Sequence, residues 1–303
     1  MAARACLRLD VLAGAIMTAE NPILVVGAHR SGTSLTARVL ETLGVFLGAR
    51  VDGNAESSYM QRVNRTLLRE LGAHWSRPNG AIETLAEIEE LETLVEPLRG
   101  CLDNRVAIEF WGARSLVAPR PEVWGWKDPR TGILLPIWRE IYPDLSLVWV
   151  RRHPVDCARS LHTRVTARQQ AFAEIAKDTG VTAERRRVTR SLRRQPIVAA
   201  AWRALTPQGA LDVTFDYIDH HEKMMPDVGR PSITVDYADL ALDAAATVDR
   251  LIDFIGTEPT TEMRSAAAAL PTSKSLLAWR NDPTFCELAA RNADRITALG
   301  YDV

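Results

Sequence analysis

Residues Pro22 to Leu40, PILVVGAHRSGTSLTARVL, limit what this 303-residue chain can become more than any other stretch. The apolar run Ile23-Leu24-Val25-Val26, bounded by Pro22 and Gly27, reads as a buried strand of a parallel sheet. Gly27-Ala28-His29-Arg30-Ser31-Gly32-Thr33-Ser34 follows, and then Leu35, Val39, Leu40 and Leu43 lie on one helical face up to a stop at Gly44. Strand, glycine loop and helix in that order cradle phosphate, because successive backbone N–H groups point inward and the helix dipole favours negative charge there. The spacing fits the nucleotide-binding frame G-x-x-x-x-G-K-[ST] except that Thr33 stands where the lysine belongs. Arg30 supplies a cation earlier in the loop. The loop therefore suits an anionic nucleotide, and the missing lysine argues against the triphosphate of ATP or GTP. A glycine turn without any ligand is the competing reading.

A second anion site is written into residues 146–161, SLVWVRRHPVDCARSL. Leu147-Val148-Trp149-Val150 is another short apolar strand, and it runs into Arg151-Arg152-His153-Pro154. Pro154 suits the first turn of a helix, where its missing N–H costs nothing, and Asp156 adds acidity to that turn. Ala158, Leu161 and Val165 can then face the sheet. In a P-loop enzyme that handles triphosphates, an Asp at such a strand end would hold Mg²⁺. Here the strand ends in two arginines, whose planar forks suit phosphate oxygens. This speaks against a P-loop small-molecule kinase using ATP. Ser160 lies eight residues beyond Arg152, across the strand-to-helix turn. Taken singly, Arg152 also fits a solvated surface arginine, and Ser160 a helix-surface serine.

Between these sites lies Trp124-Gly125-Trp126-Lys127-Asp128-Pro129-Arg130. Glu122 to Trp126 reads as a third strand, Asp128-Pro129 as a turn, and Ile133 to Ile141 as a helix in spite of Pro136. The chain has only four lysines, so one at a strand end stands out. Lys127 could stabilise charge on a transferring oxygen, or form a structural ion pair with a neighbouring acid. Earlier, Ser57 or Ser58 caps a helix with Val63, Leu67, Leu68 and Leu71 as its apolar stripe and Gly72 as its stop. Glu56 precedes that helix, where it either favours the N-terminus or accepts a proton. His29 is the competing base. His74 and Trp75 either line an acceptor pocket or belong to ordinary core. A fourth strand runs from Pro231 through Ile233 and Val235 to Tyr237. Leu240, Val248, Leu251, Ile252 and Phe254 then recur at helical spacing and stop at Gly256.

The loop, with its His-Arg-Ser-Gly-Thr-Ser core, resembles the 5′-phosphosulfate loop of PAPS-dependent sulfotransferases, bacterial members in particular. The resemblance covers most of residues 22–257 and is densest in three motifs. It implies an α/β fold, a P-loop-type three-layer sandwich with a central parallel sheet flanked by helices. It implies PAPS as co-substrate and PAP as product, with Ala28, His29, Arg30, Ser31, Gly32, Thr33 and Ser34 around the 5′ end. Arg152, which precedes His-Pro, and Ser160 match the pair that holds the 3′-phosphate. Tyr237 and Asp239 match a Tyr-x-Asp-Leu segment whose tyrosine either approaches the adenine or is structural. Related enzymes carry a Trp-Lys-Asp-Pro-Arg segment near the reaction centre. Some branches use a Glu at the position of Glu56 as base, before a helix containing residues like Asn64 and Leu67-Leu68. The catalytic set implied is Glu56, Lys127 and Arg30, with no metal. The reaction implied is transfer of a sulfuryl group to a hydroxyl, less readily an amine, of a small-molecule, carbohydrate or lipid-linked acceptor. A non-catalytic nucleotide-binding protein of the same fold is the remaining alternative.

Bulk properties agree with one large α/β domain, residues 21–303. Residues 1–20 read as an extension outside the fold and, interrupted by Arg8 and Asp10, as a poor signal peptide; Met17 is a candidate start. A net charge of −1 argues against general nucleic-acid binding. No apolar run approaches the ~20 residues of a membrane span. Cys6, Cys101, Cys157 and Cys286 lack metal-ligand spacing and suggest free thiols in a reducing cytoplasm. The arginines at 185–187 and 193–194 read as a solvated helix face or as a flap over an anionic ligand. Leu85 to Leu98 reads as one acidic helix. Asp212 to Gly229 reads as an irregular surface loop, and Trp279 to Phe285 as a candidate gate over the nucleotide. His220-His221-Glu222 is not a metal set on this reading, because adjacent histidines do not easily face one ion. The sequence gives no oligomeric state.

Overall fold

The computed structural model describes residues 21–112, 121, 123–177, 202–224 and 232–303. The expectations for residues 1–20 and for the arginines at 185–187 and 193–194 lie outside the described residues.

Four parallel strands form the sheet: β1 (Ile23–Gly27), β2 (Gly125–Lys127), β3 (Ser146–Arg151) and β4 (Ser232–Asp236), in the order β2-β1-β3-β4. Side chains alternate across it. Leu24, Val26 and Leu147 enter one core, and Ile23, Val25, Val148 and Val150 the other. The first core is built with α2 (Ser58–Glu70), α5 (Pro129–Ile133), α6 (Leu135–Ile141), α7 (Pro154–Lys177), α8 (Pro207–Met224) and α12 (Pro283–Arg291), through residues such as Met60, Ile133, Trp138, Leu161, Phe215 and Leu288. The second is built with α1 (Thr33–Thr42), α9 (Tyr237–Leu242), α10 (Ala244–Ile255) and α11 (Thr261–Ala269), through Leu40, Leu240, Leu251 and Ala267. Helices thus cover both faces of a central parallel sheet, the three-layer α/β sandwich expected from the strand–loop–helix pattern.

Several local expectations are corrected. The strand expected at 122–126 is β2, which begins at Gly125, with Trp124 just before it in an isolated bridge to Phe46. The helix expected from Ile133 to Ile141 is broken at Leu134 into α5 and α6. Pro136 has no N–H to give to the turn before it, and its ring crowds the carbonyl four residues back, so the helical hydrogen-bond ladder is interrupted there. Leu85 to Leu98 is divided between α3 (Asn79–Glu87) and α4 (Leu91–Glu109), because Ile88 is extended at φ −76°, ψ 113°.

The largest correction concerns Asp212 to Gly229. From Asp212 to Met224 it is not a loop but the body of α8, with Ala210, Thr214, Tyr217 and His221 in a buried row. Leu211, Phe215 and Ile218 carried that periodicity, hidden among aspartates and histidines. His220 and His221 are buried, not on a surface loop. Gly132 is what admits His221: a Cβ there would lie 1.9 Å from its Nε2. Trp279 is buried and its ring stacks on His153 at 5.0 Å. Among the described residues, no helix is long and apolar enough to cross a membrane.

Candidate active site

The loop leaves β1 at Gly27 and enters α1 at Thr33, over the carboxyl ends of the strands. No side chain caps α1, and its first turn holds no acid. Its first N–H groups have no partner inside the helix, so they and the positive end of the dipole are offered to an anion. Gly32 is required there: φ is 107°, and a Cβ would meet Tyr237 Cδ2 at 2.5 Å. Ala28 and Thr33 are buried, and Ser31 Oγ is buried without a partner.

Three of the expected phosphate readers meet beside this loop. Arg30, with φ 71°, donates from Nε to Ser160 Oγ at 2.9 Å. Arg152 donates from Nη1 to the Arg30 carbonyl at 3.1 Å and from Nη2 to the Ser275 carbonyl. Its Nη2 lies 3.5 Å from Asp156, its Nε has no partner, and its guanidinium lies 4.3 Å from the Tyr237 ring centroid. Asp156, expected only to add acidity to a first turn, also accepts from the amides of Leu277 at 2.8 Å and Trp279 at 3.2 Å. The segment after α11 is thereby tied to the start of α7. Burial, then the like charges of Arg164 and Arg152, lower the pKa of Arg30. Cations crowded together with mostly neutral partners mark a place where an anion belongs. Arg151 turns away and donates to the Leu299 carbonyl at 2.8 Å.

On the other side of the loop, Lys127 at the end of β2 uses three donors: to Ser34 Oγ at 3.1 Å, the Asn54 carbonyl at 3.1 Å and Glu56 Oε1 at 2.9 Å. Glu56 Oε2 accepts from Arg130 Nη2 at 2.9 Å and Gln61 Nε2 at 2.6 Å. Arg130 Nε donates to Asp128 Oδ1 at 2.7 Å. Asp128 also caps α5 through the Arg130 amide at 3.0 Å, with Pro129 in the first turn. Glu56 is set in place by Asp52, whose Oδ1 accepts its amide at 3.0 Å, and by Ser57, which caps α2. Burial alone would raise the pKa of Glu56, but Lys127 and Arg130 outweigh it and hold the carboxyl below its usual range. Burial pushes Asp128 up against the pull of Arg130.

His29 faces the same network. Its ring meets those of Trp75 at 5.0 Å and Tyr217 at 5.1 Å, both edge to face, and its Nε2 has no partner. Burial, followed by Arg130, Arg164 and Lys127, holds its pKa well below 6.5, so the imidazole is neutral.

The structure therefore brings Glu56 and Lys127 into direct contact, gathers Arg30, Arg152 and Ser160 in a second cluster, and packs Tyr237 beneath Arg152. Sequence reasoning did not include Arg130, Asp128 or Asn64 among the site residues. Asn64 is fully buried and donates to Asp128 Oδ2 at 3.0 Å and Thr131 Oγ1 at 2.9 Å, while accepting from Trp138 Nε1 at 3.0 Å. Its signal was a polar residue on the buried stripe of Met60, Leu67 and Leu68, where an amide must find partners. Ser275 carries no comparable signal. Among the described residues, no group of three or more His, Cys, Asp or Glu could hold a metal ion.

Residues 22–230 match the family described as “Sulfotransferase family”. Among solved structures, the chain is similar to sulfotransferase STF9 from Mycobacterium avium, at 13% identity and TM-score 0.47, over 90% of this chain and 77% of that one. It is also similar to a sulfotransferase from Alicyclobacillus acidocaldarius, at 14% identity and TM-score 0.41, over 83% and 91% of the two chains. A third is the sulfotransferase domain of the Synechococcus PCC 7002 olefin synthase, at 16% identity and TM-score 0.44, over 94% and 97%. No curated protein sequence matches.

Proposed function

The chain belongs to the sulfotransferase family, and we propose that it moves the sulfuryl group of PAPS to a hydroxyl of a small-molecule, carbohydrate or lipid-linked acceptor. The observation that carries the choice of donor is the cluster of Arg30, Arg152 and Ser160 beside the uncapped start of α1. PAPS supplies a sulfuryl group on its 5′-phosphate and a 3′-phosphate that ADP and ATP lack. The residues present fit it: two anionic ends require two cationic or amide-rich places, and the loop and the Arg152–Ser160 region are such places.

In this reading the amides from Ala28 to Ser34 hold the 5′ end, and Arg152 and Ser160 hold the 3′-phosphate, with Arg152 exchanging the Ser275 carbonyl for it. Tyr237 orients Arg152 from below. Lys127 touches Ser34 on the loop and Glu56 on the acceptor side, so its charge lies between the leaving and the entering oxygen. Arg30 adds a second cation for the leaving group. Glu56, ionised at neutral pH, receives the acceptor proton. Transfer of this kind depends on positioning and charge stabilisation above all. Residues 21–303 act as one domain, and the free thiols of Cys157 and Cys286 suit the cytoplasm.

Calorimetry with PAP, ADP and ATP tests the donor without knowledge of the acceptor. PAP should bind much more tightly than ADP. Equal affinity would overturn the reading, and tight Mg²⁺-dependent ATP binding would turn it toward a kinase.

A further inference from the structure

We propose that His153 is a positioning residue for Arg152: one ring nitrogen caps α7, the other ties residues 299–302 to the end of β3, and the two together aim the Arg152 guanidinium. The proposal rests on the sulfuryl-transfer reading above, in which Arg152 meets the 3′-phosphate.

The need for such a device follows from where Arg152 sits. β3 ends at Arg151 and α7 begins at Pro154, so Arg152 and His153 belong to neither. The ladder to β4 also stops at Arg151, opposite Asp236. With no ladder and no helical bonds to fix it, this two-residue link takes its orientation from side-chain contacts. The Ser275 carbonyl, which accepts from Arg152, is the partner that a 3′-phosphate would displace. It cannot brace Arg152 once the nucleotide is bound.

His153 can. It is the N-cap residue of α7: its carbonyl accepts from the Cys157 amide at 3.2 Å, and its Nδ1 accepts from the Val155 amide at 3.2 Å. An amide N–H only donates, so Nδ1 is the bare nitrogen and Nε2 carries the proton. Nε2 therefore donates to the Asp302 carbonyl at 2.9 Å. Burial lowers the pKa of His153, outweighing that carbonyl and Asp156, so the neutral tautomer is the form present at pH 7.

Residues 299–302 are shaped to receive it. After α13 (Ala293–Ala298), Gly300 is left-handed at φ 83°. Its amide donates to the Thr297 carbonyl at 2.9 Å, and the Tyr301 amide to the Ile296 carbonyl at 3.2 Å, a turn that sends the chain back onto the sheet. There the Leu299 carbonyl accepts from Arg151 Nη2 at 2.8 Å. The Tyr301 ring lies 5.3 Å from that of His153 and 5.6 Å from the Arg151 guanidinium. Arg151 and His153, the two chain neighbours of Arg152, are thus fastened to one segment. His153 also stacks on Trp279 at 5.0 Å, and the Trp279 amide donates to Asp156, the carboxylate beside Arg152.

Calorimetry of the full chain with PAP and ADP tests the proposal, with melting curves alongside. His153→Asn keeps an oxygen for the Val155 amide, and so keeps the cap, but is too short to reach the Asp302 carbonyl. It should weaken PAP by about tenfold, the loss of an aimed charge-assisted contact, while ADP affinity barely changes. Deleting residues 301–303 should reproduce that selective loss, and the two changes combined should cost no more than either alone. The deletion decides the matter by itself if His153→Asn does not fold. A purely structural role would lower the melting temperature and weaken both nucleotides alike, and that result overturns the proposal. So do losses that add in the combined variant. If the wild type prefers PAP and the folded variants keep that preference, the positioning role falls and the transfer reading stands. If the wild type binds PAP no more tightly than ADP, the transfer reading falls and takes the role of His153 with it.

Discussion

On one side of the loop, Arg30 and Arg152 direct their donors to neutral oxygens of Ser160, Arg30 and Ser275, and among the described residues only Asp156, 3.5 Å from Arg152, pairs with them. On the other side, Lys127 and Arg130 face Glu56 and Asp128, a carboxylate for each cation. The first arrangement leaves positive charge unmet and so attracts an anion. The second is neutral as a whole and attracts little; it holds four groups in a fixed geometry. Buried charges are costly to desolvate, and removing one member of such a set leaves its partner uncompensated. The contrast teaches that unmatched charge is for binding and matched charge for positioning.

The comparison can be broken most directly at Glu56. Glu56→Gln should cut kcat by ~10²–10⁴-fold, the range for loss of a general base, with PAP affinity almost unchanged by calorimetry. If PAP affinity falls as far as turnover, the two sides do not act separately. Arg152→Ala comes next. Losing a charge-assisted contact costs roughly 1.5–3 kcal/mol, so PAP should weaken by about tenfold or more while ADP affinity barely changes. An equal loss for both nucleotides would mean that Arg152 only braces the loop against Ser275.

Gly32→Ala should be milder. A left-handed φ costs a non-glycine residue about 1–2 kcal/mol, to which the contact with Tyr237 adds. A melting temperature lower by a few degrees, together with weaker PAP binding, is the expected result; an unchanged melting curve would remove the claim that the loop needs this glycine.

The smallest effects are those of pH, and they separate the sides by position. The pKa of Glu56 is depressed in the folded protein, so its ion pairs are complete above the unfolded value of about 4.3 and are lost as pH falls through the folded one. The acid limb of kcat at saturating PAPS should therefore lie below that value. PAP affinity should weaken earlier, below pH ~6, where a phosphate takes up its second proton. A limb in kcat near 6 would contradict a Glu56 held below the usual carboxylate range. Stability sets a separate boundary: burial lowers His220 to about 4 and His221 to about 3. Both stay neutral in the fold while the unfolded chain protonates below pH ~6.5, so urea midpoints should decline from there downward.

How much of this was legible in the sequence depended on whether a residue's partner lay nearby in the chain. The β1–loop–α1 unit and the β3–α7 unit combine strong hydrophobic period with residues of special geometry, and both formed as read. Glu56 and Lys127 were each visible as candidates, yet their contact spans 71 positions and no local rule announces it. Asn64 and Asp128 were likewise joined only by the fold. In α8 the signal was present, but the cluster of Asp, His and Met obscured it. Its buried histidines are tolerated because Gly132 makes room, a fact that belongs to tertiary packing and not to α8 itself.

The strand order has a consequence during synthesis. β1 emerges early, yet its neighbours in the sheet begin at Gly125 and Ser146. At roughly 5–20 residues per second, about a hundred residues correspond to a wait on the order of 5–20 s on the ribosome. Throughout that interval Ile23, Leu24, Val25 and Val26, all buried in the finished sheet, have no strand to pair with. That segment is what a chaperone, or another nascent chain, would meet first. The cluster of Arg30 and Arg152 closes later still, once Ser275 and Trp279 have arrived to tie down Arg152 and Asp156.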